Sequence, residues 1–149
     1  MRGGENMNKK GFTLIELLVV IAIIGLLSTL AVVALGSARE KARDSKRLSD
    51  LKQIQTALEL YYTDNNAYPI EAAAVALGKT NYVCLDEDGF GLTCDAGGTT
   101  YMGLVPTDPQ TGDYTYAISD GTTYSITATL EGTVGSLTGT ITASPVGIQ

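Results

Sequence analysis

A single carboxylate, Glu16, lies near the start of an otherwise apolar run. From Phe12 to Ala38 the chain has 27 residues, and Glu16 carries the only charged side chain among them. A charge placed inside a membrane helix costs on the order of 2.5–3.5 kcal/mol on insertion scales. Two interpretations are open. Either Glu16 lies close enough to the membrane edge to reach water, or a positive group meets it, and no Lys or Arg of the run supplies that group.

Enzyme chemistry has little support in the composition. The 149 residues contain no His, which removes Ser-His-Asp and Cys-His nucleophilic sites and most zinc sites. No phosphate-binding glycine motif occurs between a strand pattern and a helix pattern. The sequence therefore predicts a protein that is not an enzyme.

The two cysteines, Cys84 and Cys94, enclose nine residues rich in Asp and Gly. Two Cys in a loop-rich region after a membrane segment favour a disulfide in an oxidising compartment. The alternative is a pair of reduced, unrelated thiols, because spacing alone does not fix the geometry of a disulfide.

Charge divides the chain into two unlike parts. Residues 1–79 hold all ten bases and eight acids, a net charge of +2, whereas residues 80–149 hold eight acids and no base, a net charge of −8. A base-free region is a poor nucleic-acid ligand, so no direct nucleic-acid binding is expected. Such a region is a better candidate for staying soluble or for holding a hard cation.

The apolar run is long enough to anchor the chain in a membrane. Leu17–Gly36 is 20 residues without charge, and 20 helical residues span roughly 30 Å. A signal peptide has a shorter apolar region and a small-residue cleavage site after it, so the run is predicted to be retained. Orientation is in conflict, because the disulfide favours an outside C-terminal part, whereas the Lys/Arg count places that part inside. The count has three bases before the run (Arg2, Lys9, Lys10) and five after it (Arg39, Lys41, Arg43, Lys46, Arg47).

A second helical pattern follows the anchor and is predicted to continue the same helix over residues 37–68. Its apolar residues recur at steps of three and four, which indicates one buried stripe. Asp44 is spaced to pair with Arg47, and Glu40 with Arg43. The stripe consists of Leu48, Leu51, Ile54, Leu58 and Tyr61 or Tyr62.

Residues 69–149 are predicted to form a β-rich head. Alternating Thr, Tyr and Ile on both sides of Asp120-Gly121 predict a β-hairpin with a tight turn, formed by residues 114–119 and 122–130. Residues 137–142 add a weaker strand, Ala-rich residues 71–78 a short helix or turn, and residues 86–98 a loop. A small sheet needs a helix against its apolar face, so the predicted fold class is α+β, with the long helix packed on a small antiparallel sheet.

The residues Lys9-Lys10-Gly11-Phe12-Thr13-Leu14-Ile15-Glu16 and the apolar helix behind them resemble the class III leader junction of the type IV pilin and type II secretion pseudopilin superfamily. More loosely, "YMGLVPTDPQTGDYTYAISDGTTYSI" resembles the turn and Tyr-rich hairpin of major pseudopilins. In those pseudopilins, acidic loop residues can hold calcium, and the acids available for this here are Asp86, Asp88, Asp108, Asp113 and Asp120. They do not follow the EF-hand pattern, a solvated acidic loop is the alternative, and no residue is assigned as a metal ligand. No other cofactor is implied.

The resemblance implies a specific processing path. A prepilin peptidase would cut between Gly11 and Phe12, remove the leader 1–11 and methylate the new amine of Phe12. That amine would pair with Glu16 of a neighbouring subunit, which supplies the positive group that the run lacks. Residues 12–36 would be the transmembrane and filament-core helix.

The resemblance also implies a place in the cell and a set of partners. The chain would be a single-pass protein of the inner membrane, with its leader cytoplasmic and its head outside, and would later join a pilus or pseudopilus. Its partners would be copies of itself or other pilins, the peptidase, and an assembly platform with its ATPase. The competing interpretation is a single-pass anchored extracellular binding domain that does not polymerise.

Overall fold

The computed structural model describes residues 11–118 and 120–149. One helix, α1 (Leu14–Asn65), is followed by eight strands. The chain divides into two compact units, Met1–Ala38 and Arg39–Gln149, and the division falls within α1. The first unit is apolar along its described length, and the second holds the core.

The first part of α1 is long and apolar enough to cross a membrane. It has 20 uncharged residues from Leu17 to Gly36, and none of its most apolar stretch is buried in the protein. From Phe12 to Arg39 every side chain is exposed. An apolar helix exposed on all its faces needs an apolar environment, which a bilayer or other helices of the same kind provide.

The second part of α1 buries the predicted stripe. Leu51, Ile54, Leu58 and Tyr61 are buried, and Leu48 is partly buried against the same cluster. The helix ends at Asn65, three residues before the predicted limit at 68, because Asn66 adopts a left-handed conformation (φ 55°) and its N–H bonds the Tyr62 carbonyl.

In the described part of the chain the strands are β1 (Val75–Leu77), β2 (Cys84–Asp86), β3 (Gly89–Gly91), β4 (Thr100–Met102), β5 (Tyr114–Ile118), β6 (Tyr124–Val134), β7 (Leu137–Ser144) and β8 (Gly147–Ile148). They form two antiparallel sheets. The larger sheet has the order β1-β5-β6-β7-β8 and the smaller one β3-β2-β4. Core residues of the larger sheet, such as Tyr116, Ile126 and Ile141, join one cluster with the helix stripe. The α+β prediction is therefore confirmed.

The predicted hairpin is present as β5 and β6, but its turn is longer than predicted. Ile118 pairs with Tyr124, so Thr122 and Thr123, predicted as strand residues, lie in the connection, and the predicted strand residue Ser119 lies outside the described residues. Asp120 organises this connection by accepting bonds from the N–H groups of Thr122 and Thr123 at 3.0 and 3.1 Å. Gly121 has a φ of 76°, a conformation that glycine adopts without strain.

Two other local predictions are wrong. Within residues 71–78, predicted as a short helix or turn, the structure has β1, whose Val75 pairs with Tyr116 of β5. Within residues 86–98, predicted as a loop, the structure has the end of β2 and all of β3, which pair through Asp86 and Gly89. The strand predicted at 137–142 is confirmed and extends to Ser144.

Candidate functional site

The start of α1 places Glu16 against the residue that precedes the helix. The Glu16 carboxylate accepts bonds from the Thr13 N–H and the Thr13 hydroxyl, both at 2.8 Å. The Thr13 hydroxyl in turn accepts a bond from the Glu16 N–H at 3.3 Å. This reciprocal arrangement is a capping box, which satisfies free N–H groups at a helix N-terminus. In a single chain, Glu16 therefore has a local partner.

An apolar groove surrounds the carboxylate. Phe12, Ile15, Val19 and Val20 line it together with Glu16. Phe12 is 88% exposed, so no other described residue covers it. The predicted cleavage and methylation residues Gly11 and Phe12 thus lie directly before the capping box, in a segment that the structure assigns to no helix or strand.

A second group of charges, which the sequence analysis did not identify as a unit, lies in the head. We refer to Asp44, Arg47, Asp108 and Glu131 as the Arg47 cluster. Arg47 donates hydrogen bonds to the Asp108 carboxylate from Nε at 2.6 Å and from Nη2 at 2.9 Å. Its Nη1 donates hydrogen bonds to Asp44 at 2.7 Å and to Glu131 at 2.6 Å. The side chains of Asp44, Arg47 and Asp108 are buried, whereas Glu131 is 24% exposed.

A bulge in the larger sheet supplies the remaining contacts of Asp44. The β6–β7 register shifts between Thr129 and Thr133, and the N–H groups of Glu131 and Gly132 bond the Asp44 carboxylate at 3.0 and 2.8 Å.

These contacts shift the protonation equilibria of the cluster. Bonds from Arg43 and then Arg47 lower the pKa of Glu131 to about 2. The Arg47 guanidinium holds the pKa of Asp108 below its ordinary value. Burial opposes ionisation of Asp44, but the two backbone N–H groups and Arg47 outweigh it and lower the Asp44 pKa. All three acids are therefore carboxylates at neutral pH.

The pairs predicted along the helix are only partly present. Asp44 does pair with Arg47. The carboxylate that pairs with Arg43 is Glu131 of β6, not Glu40. Lys46 bonds Asp50 at 2.6 Å, and the Tyr114 hydroxyl donates to the same Asp50 oxygen at 2.8 Å.

The two cysteines form a disulfide, as the sequence predicted, with their Cα atoms 5.6 Å apart. The bond joins β2 to the segment before β4. The neighbouring Asp86 is buried and accepts bonds from the N–H groups of Asp88 and Asp95 at 3.1 and 2.9 Å. The two sulfurs lie near the Asp86 carboxylate, but they are joined to each other and so are not thiolate ligands.

The five acids named as calcium candidates do not form one ligand set among the described residues. Asp108 bonds Arg47, Asp113 pairs with Lys79, and Asp86 and Asp120 accept backbone N–H groups. These four carboxylates therefore have hydrogen-bond or ion-pair partners of their own in different parts of the head. Calcium binding stays a prediction.

A helix that is apolar on every face of its first part and packs on an antiparallel sheet through its second part defines a pilin-like α+β protein. Two family models match the chain: the prokaryotic N-terminal methylation motif over residues 6–36, and type II secretion system (T2SS), protein G over residues 34–144. The chain belongs to the type II secretion system protein G family. The family is a structural one and is not known for enzymes, in line with the sequence prediction.

Individual relatives agree with this assignment. The chain is 34% identical to the type II secretion system core protein G of Escherichia coli K12 over 115 residues, which cover 71% of this chain and 70% of the relative. It is 44% identical over 72 residues to the type IV wide pilus major component PilA4 of Thermus thermophilus, covering 48% and 55%.

Other relatives are matched over a shorter range. The alignment with the core protein G of Pectobacterium carotovorum has 43% identity over 67 residues, covering 45% of this chain. The match covers less than half of each relative's own length: 43% of the Pectobacterium protein and 46% of the Aeromonas hydrophila core protein G. No solved structure matches the chain significantly.

Proposed function

We propose that the chain is a structural subunit of a type IV pilus or type II secretion pseudopilus-like filament. The observation that carries the proposal is the helix start: Glu16 is the only charge on a helix segment whose apolar faces are all exposed, and it lies in a groove beside Phe12. Such a surface buries itself by packing against copies of the same helix. The name of the Thermus relative, a pilus major component, supports this function.

Processing prepares the helix for assembly. A prepilin peptidase cuts between Gly11 and Phe12, which removes residues 1–11 and creates a free amine on Phe12. The amine is methylated and pairs with Glu16 of a neighbouring subunit. Two charges that would each be costly in an apolar filament core then neutralise one another. The match to the methylation motif over residues 6–36 supports this step.

Before assembly the chain is anchored in the inner membrane by residues 12–36, with its leader in the cytoplasm and its head outside. The bases that follow the anchor argue against this orientation by the Lys/Arg count. The structure gives three of them a task in the head: Arg43 pairs with Glu131, Lys46 with Asp50, and Arg47 with Asp108. These three bases therefore have a structural role in the head, and that role is the same on either side of the membrane. An assembly platform and its cytoplasmic ATPase drive polymerisation.

Mass spectrometry of the N-terminal peptide tests this proposal against a non-polymerising anchored binding domain. We expect the protein isolated from the native cell to begin at Phe12 with one methyl group on its amine. Cells without prepilin peptidase activity serve as the control and should contain only chains that begin before Gly11. An unprocessed N-terminus in peptidase-containing cells would favour the anchored binding domain.

A further inference from the structure

The Arg47 side chain holds three separate parts of the head together. It lies on α1, and its hydrogen bonds reach Asp108 in the connection between β4 and β5 and Glu131 on β6. On α1 itself it bonds Asp44, which also binds the bulge of β6 through two N–H groups. One guanidinium thus organises the helix, a long connection and a bulged strand at a single point.

Burial makes these charges energetically costly unless each of them is paired. The Arg47 side chain is 3% exposed, and those of Asp44 and Asp108 are 1% and 3% exposed. Charges removed from water to this extent are tolerated only when each is paired and hydrogen-bonded. Removing the guanidinium would leave Asp108 and Asp44 buried with only backbone N–H groups as partners. The position must therefore hold a cation for the three segments to meet.

The cluster fits a guanidinium better than a metal ion. Asp108 bonds Arg47 with both oxygens, in the two-pronged geometry that a planar guanidinium offers and a spherical ion does not. Calcium gathers six to eight oxygens at about 2.3–2.6 Å. The carboxylates of Asp44, Asp108 and Glu131 do not form a group whose oxygens all lie within 4.8 Å of one another.

We propose that Arg47 is the built-in cation of the head, which orders the β4–β5 connection and the β6 bulge without a divalent metal ion. The inference concerns the folding of the head and holds whether or not the chain polymerises.

Thermal unfolding of the full-length chain in detergent tests the metal-independence. All eight tyrosines lie between residues 61 and 124, so their near-ultraviolet circular dichroism reports on the head. We expect EDTA and millimolar calcium chloride to change the Tm of the wild-type chain and of Glu131→Gln by the same amount, because an ion bound elsewhere in the folded head raises both alike. A calcium effect on Tm that differs between the two chains would overturn the proposal, because the ion would then bind at the Arg47 cluster.

Variants test the role of the guanidinium. Arg47→Met and Arg47→Lys should both lower the Tm by about 10 °C or more, because each disrupts a buried charge cluster and Lys cannot form the two-pronged contact. Calcium should not restore either variant. Lys52→Met, a change of an exposed base on the same helix, is the matched control and should leave the Tm nearly unchanged.

Milder variants keep the proposal falsifiable if Arg47 variants do not fold. Glu131→Gln removes a partly exposed member of the cluster, and we expect a smaller fall in Tm, of a few degrees, that calcium does not reverse. A wild-type Tm for Arg47→Lys would overturn the proposal because it would show that any cation suffices. Recovery of Arg47→Met or Glu131→Gln by calcium would overturn it because the cluster would then be a metal site.

Discussion

Replacing Glu16 by Gln is expected to abolish filament formation while leaving cleavage and membrane insertion intact. The amide keeps an oxygen that can accept the Thr13 bonds of the capping box, but it cannot neutralise the Phe12 amine of a neighbouring subunit. An uncompensated charge in an apolar core costs about 3–5 kcal/mol, which lowers an association constant by more than about a hundredfold. The yield of sheared filaments, set against the amount of processed subunit in the membrane, measures the effect.

Thr13→Ala is the matched control, since it removes the hydroxyl bond to Glu16 and keeps the carboxylate. The loss of one exposed cap weakens the helix start by only about 1 kcal/mol, so filaments should still form. If Glu16→Gln gave a normal filament yield, the carboxylate would have no role in assembly. If Thr13→Ala abolished filaments as completely, the role of Glu16 would be local capping instead of pairing between subunits.

The second large effect is expected for Leu58→Ala in the head. Leu58 is fully buried on the helix stripe, in the cluster that joins the helix to both sheets. Truncating a buried Leu to Ala costs about 2–5 kcal/mol, because apolar contacts are lost and a cavity remains. A loss of this size is a large fraction of the total free energy of unfolding of a single domain. Denaturant unfolding of the full-length chain in detergent, followed by tyrosine circular dichroism, measures the change.

Leu60→Ala, two residues away on the same helix, is the matched control for an exposed position. Leu60 is 52% exposed, so its truncation should change the free energy of unfolding by less than about 0.5 kcal/mol. Equal losses for Leu58→Ala and Leu60→Ala would contradict the assignment of the buried face of α1.

The sequence predicts the elements that depend on local periodicity. The steps of three and four from Leu51 to Tyr61 identify the buried face of the helix, and alternating Thr, Tyr and Ile identify β5 and β6. The N-terminal residues Gly11, Phe12 and Glu16 form a continuous motif, so their predicted processing and assembly roles need no tertiary information. The structure places them next to one another but does not test those roles.

Features that depend on distant partners were not predicted. Residues 75–77 form a strand because Tyr114–Tyr116 of β5 pair with them, and this pairing overrides the Ala-rich local composition. The Arg47 cluster joins residues as far apart as 44 and 131. A signal for it did exist: Asp44 and Arg47 continue the stripe of Leu51 and Ile54 toward the N-terminus at the same spacing. Charges on the buried face require buried partners, and the acidic region 80–149 supplies them.

Immunogold electron microscopy of sheared surface filaments tests the central claim most directly. An antibody against the head, applied to filaments from cells that express the chain with its assembly machinery, should label filaments along their length. Filaments from cells without the gene serve as the control for labelling. The account predicts regular labelling by the processed chain, and it would be contradicted if all processed chain remained in the membrane fraction while filaments carried no label.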